Sequence, residues 1–199
     1  MADLMEITTW HLEMTGPGEL RPAPAVPVAV TRAEVVSPEL NRYLYTAVGG
    51  DWLWTDRLGW TWPQWHAWLD RPGVETWVAT DRGTPVGYAE LDGTCDDGAV
   101  EIAYFGLLPA FTGRGVGGHL LTEAIRRAWT LADRWPLPAT RRVWVHTCSN
   151  DGPGALANYR ARGLRTFRTT HETAEPPDVP GGPWPGADRP ATDGLSGAR

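Results

Sequence analysis

The spacing of apolar residues changes period several times along the chain, and each change marks an element. Ile7–Met14 alternates and predicts a strand, followed by the turn-rich stretch Thr15–Pro24. Val26–Arg32 predicts a second strand. Ser37-Pro38-Glu39 then has the form of a helix start, with serine as N-cap and proline at the first helical position. That helix is expected to stop near Val48, before Gly49-Gly50. From Pro63, Trp65, Trp68 and Leu69 fall at helical spacing. Glu75–Thr80 and Pro85–Leu91 read as a hairpin around Asp81–Thr84, and Asp92–Gly98 as a further turn. Val100–Leu108 is another strand. A helix beginning near Gly117 lines up Leu120, Leu121, Ala124, Ile125, Ala128 and Leu131 in one stripe. Arg142–Cys148 is a short strand, Pro153–Arg162 a short helix closed by Gly163, and Leu164–Thr170 a last strand. The order β-β-α-α-β-β-β-α-β-α-β predicts an α/β (α+β) fold: a mixed, twisted sheet with helices on both faces.

The remaining stretch, Ala174–Arg199, carries Pro, Gly, Asp and Ala with almost no apolar content, and is expected to be a disordered tail. Residues 1–25 are expected to form an N-terminal strand and loop packed on the domain, and residues 26–173 the domain itself. A chain of 199 residues suits one such domain. No run approaches the roughly 18 apolar residues that span a bilayer. The start, MADLMEITTW, lacks the basic-then-apolar pattern of a signal peptide, so cytoplasm is the expected compartment.

Charge and composition narrow the chemistry. The net charge of −6 disfavours a phosphate-backbone partner, so nucleic acid is not expected. All 18 basic residues are arginine, which removes lysine Schiff bases and the Walker lysine. Cys95 and Cys148 lack zinc spacing, and no metal is expected. Six of the twelve tryptophans fall between Trp52 and Trp68. They fit either core packing or an aromatic wall around a ligand.

The most informative stretch joins the Val100–Leu108 strand to the amphipathic helix. Gly113, Gly115, Gly117 and Gly118 lie within six residues around Arg114 and Val116. Glycines there let successive N–H groups face one ligand, and the helix dipole adds positive potential. The result is an anion cradle suited to phosphate or pyrophosphate. Gly113, Gly115 and Gly118 also satisfy GxGxxG, but the dinucleotide reading fails. Pro109–Thr112 separate strand from turn, and no acidic residue ends a strand about 20 residues on.

Thr112-Gly113-Arg114-Gly115-Val116-Gly117 resembles the acyl-CoA signature of the GNAT superfamily, Arg/Gln-x-x-Gly-x-Gly/Ala, with Thr112 departing at the first position. The surrounding order of elements over residues 26–172, and the run Ala155-x-x-x-Tyr159-x-x-x-Gly163, are similar to that family as well. The resemblance implies a GNAT fold and transfer of an acetyl or other short acyl group from a CoA thioester, acetyl-CoA above all, to a small-molecule amine. It implies phosphate contacts across Thr112–Gly118 and backbone contacts from Leu107 and Leu108 on a bulged strand. Tyr159 is placed as the acid that protonates the leaving thiolate. Glu101 is the first candidate for the base and His146 the second. The stretch after the first helix caps the acceptor pocket in this family, which brings forward Trp52, Trp54, Asp56 and Trp60. Asp56 could pair with an amine or with Arg57 or Arg42. An acyl-CoA sensor without turnover, an acyl-carrier-protein donor and a homodimer are left open.

Overall fold

The computed structural model describes residues 4–96 and 98–175. Seven strands form one mixed sheet: β1 (Met5–Met14), β2 (Ala29–Arg32), β3 (Val74–Asp81), β4 (Thr84–Asp96), β5 (Ala99–Leu107), β6 (Arg142–Cys148) and β7 (Arg165–Ala174). Their spatial order is β2-β3-β4-β5-β6-β1-β7. All neighbours are antiparallel except β5 and β6. Four helices complete the fold: α1 (Pro38–Gly49), α2 (Trp62–Leu69), α3 (Val116–Trp129) and α4 (Ala155–Ala161). The element order is the expected one.

One face of the sheet packs on α3. Its stripe Leu120, Leu121, Ala124, Ile125 and Ala128 is fully buried, and Leu12, Leu91, Val100, Ile102, Val143 and Val145 join this core. On the opposite face α1 and α2 bring Leu44, Tyr45, Val48 and Trp65. Ser37 caps α1 through its hydroxyl, which accepts from Leu40 N–H at 3.2 Å. β1 lies between β6 and β7, so the segment expected to pack on the domain is an inner strand of its sheet.

Several boundaries differ from the sequence reading, and three of the differences have a clear physical cause. Val26 and Val28 do not pair. They pack beside Val116 and Leu120 instead, leaving β2 to begin at Ala29. The polar stretch from Asp92 is strand rather than turn, because its polar groups find partners inside the fold. Asp92, 2 % exposed, meets Arg71 at 2.9 Å and accepts from Thr94 N–H and hydroxyl. Gly93 has no room for a side chain, since a Cβ there would stand 2.4 Å from Leu131. β7 runs on to Ala174, which pairs with Met5. Residues 176–199, the bulk of the expected tail, lie outside the described residues.

Buried carboxylates on β3 and β4 are each met by arginine. Glu75 takes both Arg134 nitrogens, at 2.7 and 2.8 Å, and Arg32 at 2.9 Å, with Trp77 and Trp135 donating as well. Burial raises the Glu75 pKa, but the bonds from Arg134 and Trp77 outweigh it and the net shift is down. Its contribution to stability is therefore full above the ordinary glutamate value and lost as pH falls through the depressed one. Glu75→Ala, which leaves two guanidiniums without their partner, should cost about 3–5 kcal/mol in urea unfolding at neutral pH. The deficit should shrink at acid pH.

Candidate functional site

Strands β5 and β6 pair over three residues only, Ala99–Glu101 against Arg142–Trp144, and then part. Two features of β5 go with the split. Ala103 has no partner in the register with β4, a bulge between Ile102 and Tyr104. Beyond it, Leu108 N–H donates to Val86 O at 2.9 Å. Antiparallel alternation then turns the backbone groups of Phe105 and Leu107 away from β4, toward the side that β6 has left. Of the two leucines expected to offer backbone contacts, Leu107 has its backbone groups turned to the open side. Leu108 does not: its N–H is spent on Val86 and its carbonyl accepts from Phe111.

The glycine loop reaches the same opening. Gly113 and Gly115 have φ of 73° and 79°, left-handed values that side chains resist, and Gly115 is the N-cap of α3. The first α3 hydrogen bond is His119 N–H to Gly115 O, so the N–H groups of Val116, Gly117 and Gly118 have no helical partner. No acidic residue occupies the first turn to neutralise them. A Cβ on Gly113 would meet nothing within 4 Å, whereas one on Gly118 would stand 2.5 Å from Arg162 and 3.0 Å from Ala23. Gly113 is thus open to a ligand, and Gly118 is a glycine for packing. Thr112 turns its hydroxyl back to Pro109 O at 2.9 Å. Arg114 lies exposed over the Phe111 ring.

Helix α4 locks against this end. Asn158 donates to Gly117 O at 3.3 Å, and the next residue, Tyr159, packs edge-on to Phe105 with ring centroids 5.8 Å apart. Tyr159 is 4 % exposed, and among the described residues its hydroxyl has no hydrogen-bond partner. Burial pushes its pKa far up, and the charge of Asp151 adds to that, so the phenol stays protonated.

Glu101, Trp144 and His146 lie on the sheet face opposite α3, because their neighbours Val100, Ile102, Val143 and Val145 point into the α3 core. The bulge at Ala103 shifts the alternation so that Phe105 packs on that core and Tyr104 joins the opposite face. His146 Nδ1 stands 3.2 Å from Glu101 Oε1. The Glu101 hydrogen bond raises the His146 pKa above 6.5 against the opposing effect of burial, with Asp151 and Asp56 adding to the rise. The two candidate bases are therefore one contact pair. His11, cross-strand from His146, stacks on Trp144.

Residues 51–60 bridge the two strands on this face. Trp54 meets Tyr104 edge-on at 4.9 Å and reaches Asp151, after β6, at 3.5 Å. Trp52 covers Gly152, where a Cβ would lie 3.3 Å from its ring. Asp56 accepts hydrogen bonds from the hydroxyls of Tyr45, at 2.7 Å, and Tyr104. Trp60 is placed otherwise than expected. With Trp65, Trp68 and Tyr104 it surrounds the Arg57 guanidinium, at 4.7, 5.7, 4.1 and 4.3 Å. Arg57 is 3 % exposed and bonds Glu90 at 2.8 Å. The tryptophan run does build an aromatic cage for a cation, but the cation is the chain's own. Sequence reasoning missed Tyr45, Tyr104 and Asp151. No motif marks them, and only tertiary contact brings them to Asp56 and Trp54.

Among the described residues no helix is long and apolar enough to cross a membrane, and no group of His, Cys, Asp or Glu could hold a metal ion.

Residues 38–164 match the sequence model of the Acetyltransferase (GNAT) family. Among solved structures, the fold is similar to a GCN5-related N-acetyltransferase from Kribbella flavida, with 19 % identity and a TM-score of 0.58 over 85 % of this chain and 58 % of that one. It is also similar to one from Sphaerobacter thermophilus, with 20 % identity and a TM-score of 0.56 over 87 % and 54 %. A tandem GNAT protein from the clavulanic acid biosynthesis pathway gives 15 % identity and a TM-score of 0.52, over 89 % and 56 %. The chain therefore spans little more than half the length of these neighbours. No curated protein matches the sequence.

The Glu101–His146 contact has a direct signature. NMR titration of His146 should give a pKa above 6.5, and Glu101→Gln should lower it. The contact should stabilise the fold fully below about 6.5 and lose its effect as pH rises through the raised value.

Proposed function

The chain belongs to the GNAT acetyltransferase family, and from that premise we propose that it moves an acetyl or other short acyl group from a CoA thioester to a primary amine of a small molecule, by direct attack in a ternary complex. Acyl transfer from acyl-CoA is the family's chemistry; the amine acceptor and the residue roles are this reading's own. The observation that carries it is the parting of β5 from β6, with the uncapped start of α3 at one end of the opening and the Tyr159 hydroxyl beside it.

The N–H groups at Val116 and Gly117, with the open turn at Gly113, suit the pyrophosphate of the donor. The Leu107 backbone suits the pantetheine amides and the thioester oxygen. On the opposite face, Glu101 takes the Nδ1 proton of His146 as a hydrogen bond, which leaves Nε2 to receive a proton from the ammonium form of the acceptor. The freed amine attacks the carbonyl carbon, and negative charge gathers on the thioester oxygen near the Leu107 N–H. When the carbon–sulfur bond breaks, the Tyr159 hydroxyl gives its proton to the departing thiolate, and the second proton of the attacking nitrogen, shed through water as the amide forms, restores the phenol. Turnover should therefore rise as pH climbs through the elevated His146 pKa, since only the neutral ring can act as base.

Two experiments test the reading. Acetyl-CoA at millimolar concentration should raise the melting temperature by mass action. Gly115→Glu, which sets a carboxylate at the cradle, should remove that rise when compared with its own ligand-free melting curve. An unshifted wild-type curve would count against the whole reading. Tyr159→Phe keeps the ring against Phe105 and removes the hydroxyl. At saturating amine it should lower kcat by about 10²–10⁴-fold with CoA affinity nearly unchanged, because the proton is given only in the transition state. A folded variant with wild-type turnover would end the assignment.

A further inference from the structure

The acceptor side of the opening carries a carboxylate that the chain orients but does not neutralise. Asp56 is exposed, yet both its oxygens are held, by Tyr45 and Tyr104. Both donors are phenols that burial pushes above their usual range, so they fix the carboxylate while contributing no charge. The cation next in sequence is committed elsewhere: Arg57 bonds Glu90, which is fully buried and also accepts from Trp68 and Asn41. Among the described residues neither Arg57 nor Arg42 pairs with Asp56, although the sequence allowed both.

Asp56 also sits where a second point of contact would be useful. Its donor Tyr104 follows Glu101 on the same face of β5, beyond the bulge. The charge of Asp56 is felt at His146. Trp54, edge-on to Tyr104, supplies an aromatic surface between Asp56 and the loop after β6. Arg57, caged and paired, holds residues 51–60 to the sheet, so the carboxylate is presented by a fixed loop rather than a mobile one.

We propose that the acceptor is a dication, an amine carrying a second positively charged nitrogen, and that Asp56 holds the second charge while the first nitrogen meets the Glu101–His146 pair. This rests on the amine-transfer reading for the identity of the reacting nitrogen, but not for the binding itself.

The test is calorimetric titration of the CoA-bound full chain with α,ω-diaminoalkanes of graded length and the 1-aminoalkanes of matching length. The best diamine should bind about tenfold or more tightly than its monoamine, as expected for one charge-assisted contact. Asp56→Asn, an isosteric change at an exposed side chain, should erase that difference, with folding checked by melting. Equal affinity of wild type for both amines would overturn the proposal, as would a diamine preference that survives Asp56→Asn. Turnover with acetyl-CoA separates the two readings. Tight diamine binding without acetyl transfer would leave the Asp56 subsite standing and remove the transfer reading. Transfer to monoamines with no diamine preference would do the reverse.

Discussion

A β-sheet that closes all its hydrogen bonds has nowhere to admit a ligand between its strands. Here β5 and β6 abandon each other after Trp144, and the rest of the site depends on that break. Unpaired strand edges are normally unfavourable, because each backbone group must find a partner or water. The fold tolerates them by anchoring β5 along β4 on one side and β6 along β1 on the other. Each strand is secured on its far side, so the near sides are free to part. The bulge at Ala103 and the α4 contact through Asn158 then aim Leu107, Tyr159 and the start of α3 at one opening.

The second organising element is the group around Arg57. An unpaired guanidinium inside a protein is costly, and one paired but poorly hydrogen-bonded is little better. Arg57 is paired with Glu90 and flanked by Trp60, Trp65, Trp68 and Tyr104. Such a cluster specifies one arrangement of residues 51–60, because any other would strand two buried charges. The same tyrosine that stacks on Arg57 donates to Asp56. Tyr104 thus ties the Arg57 cluster to the Asp56 carboxylate.

Period and punctuation made the architecture legible. The α3 stripe, the Ser37-Pro38 start and the glycine loop are local signals, and each lies where its local chemistry puts it. The glycine cluster and Tyr159 were both marked by local sequence, and the fold sets the helix that carries Tyr159 against the start of α3. What the sequence could not display were partners far apart along the chain. The strand character of Asp92–Asp96 depends on Arg71, and the environment of Asp56 on Tyr45 and Tyr104. The tryptophan run was readable as core packing or as a wall around a ligand, but not as the cage around the chain's own Arg57. Glu101 and His146 were separate candidates for one role until the parallel register of β5 and β6 set them side by side.

The arginines that meet Glu75, Glu90 and Asp92 are also a choice of nucleophile. A thioester acylates unprotonated amines without any catalyst, and a lysine whose pKa falls on burial is an especially exposed target. Guanidinium keeps its proton at any physiological pH and is a poor nucleophile. With no lysine in the chain and all 18 Lys/Arg-type residues arginine, the side chains present no amine to an acyl thioester donor. Its internal ion pairs are immune to the modification that such a donor inflicts on lysine-bearing surfaces.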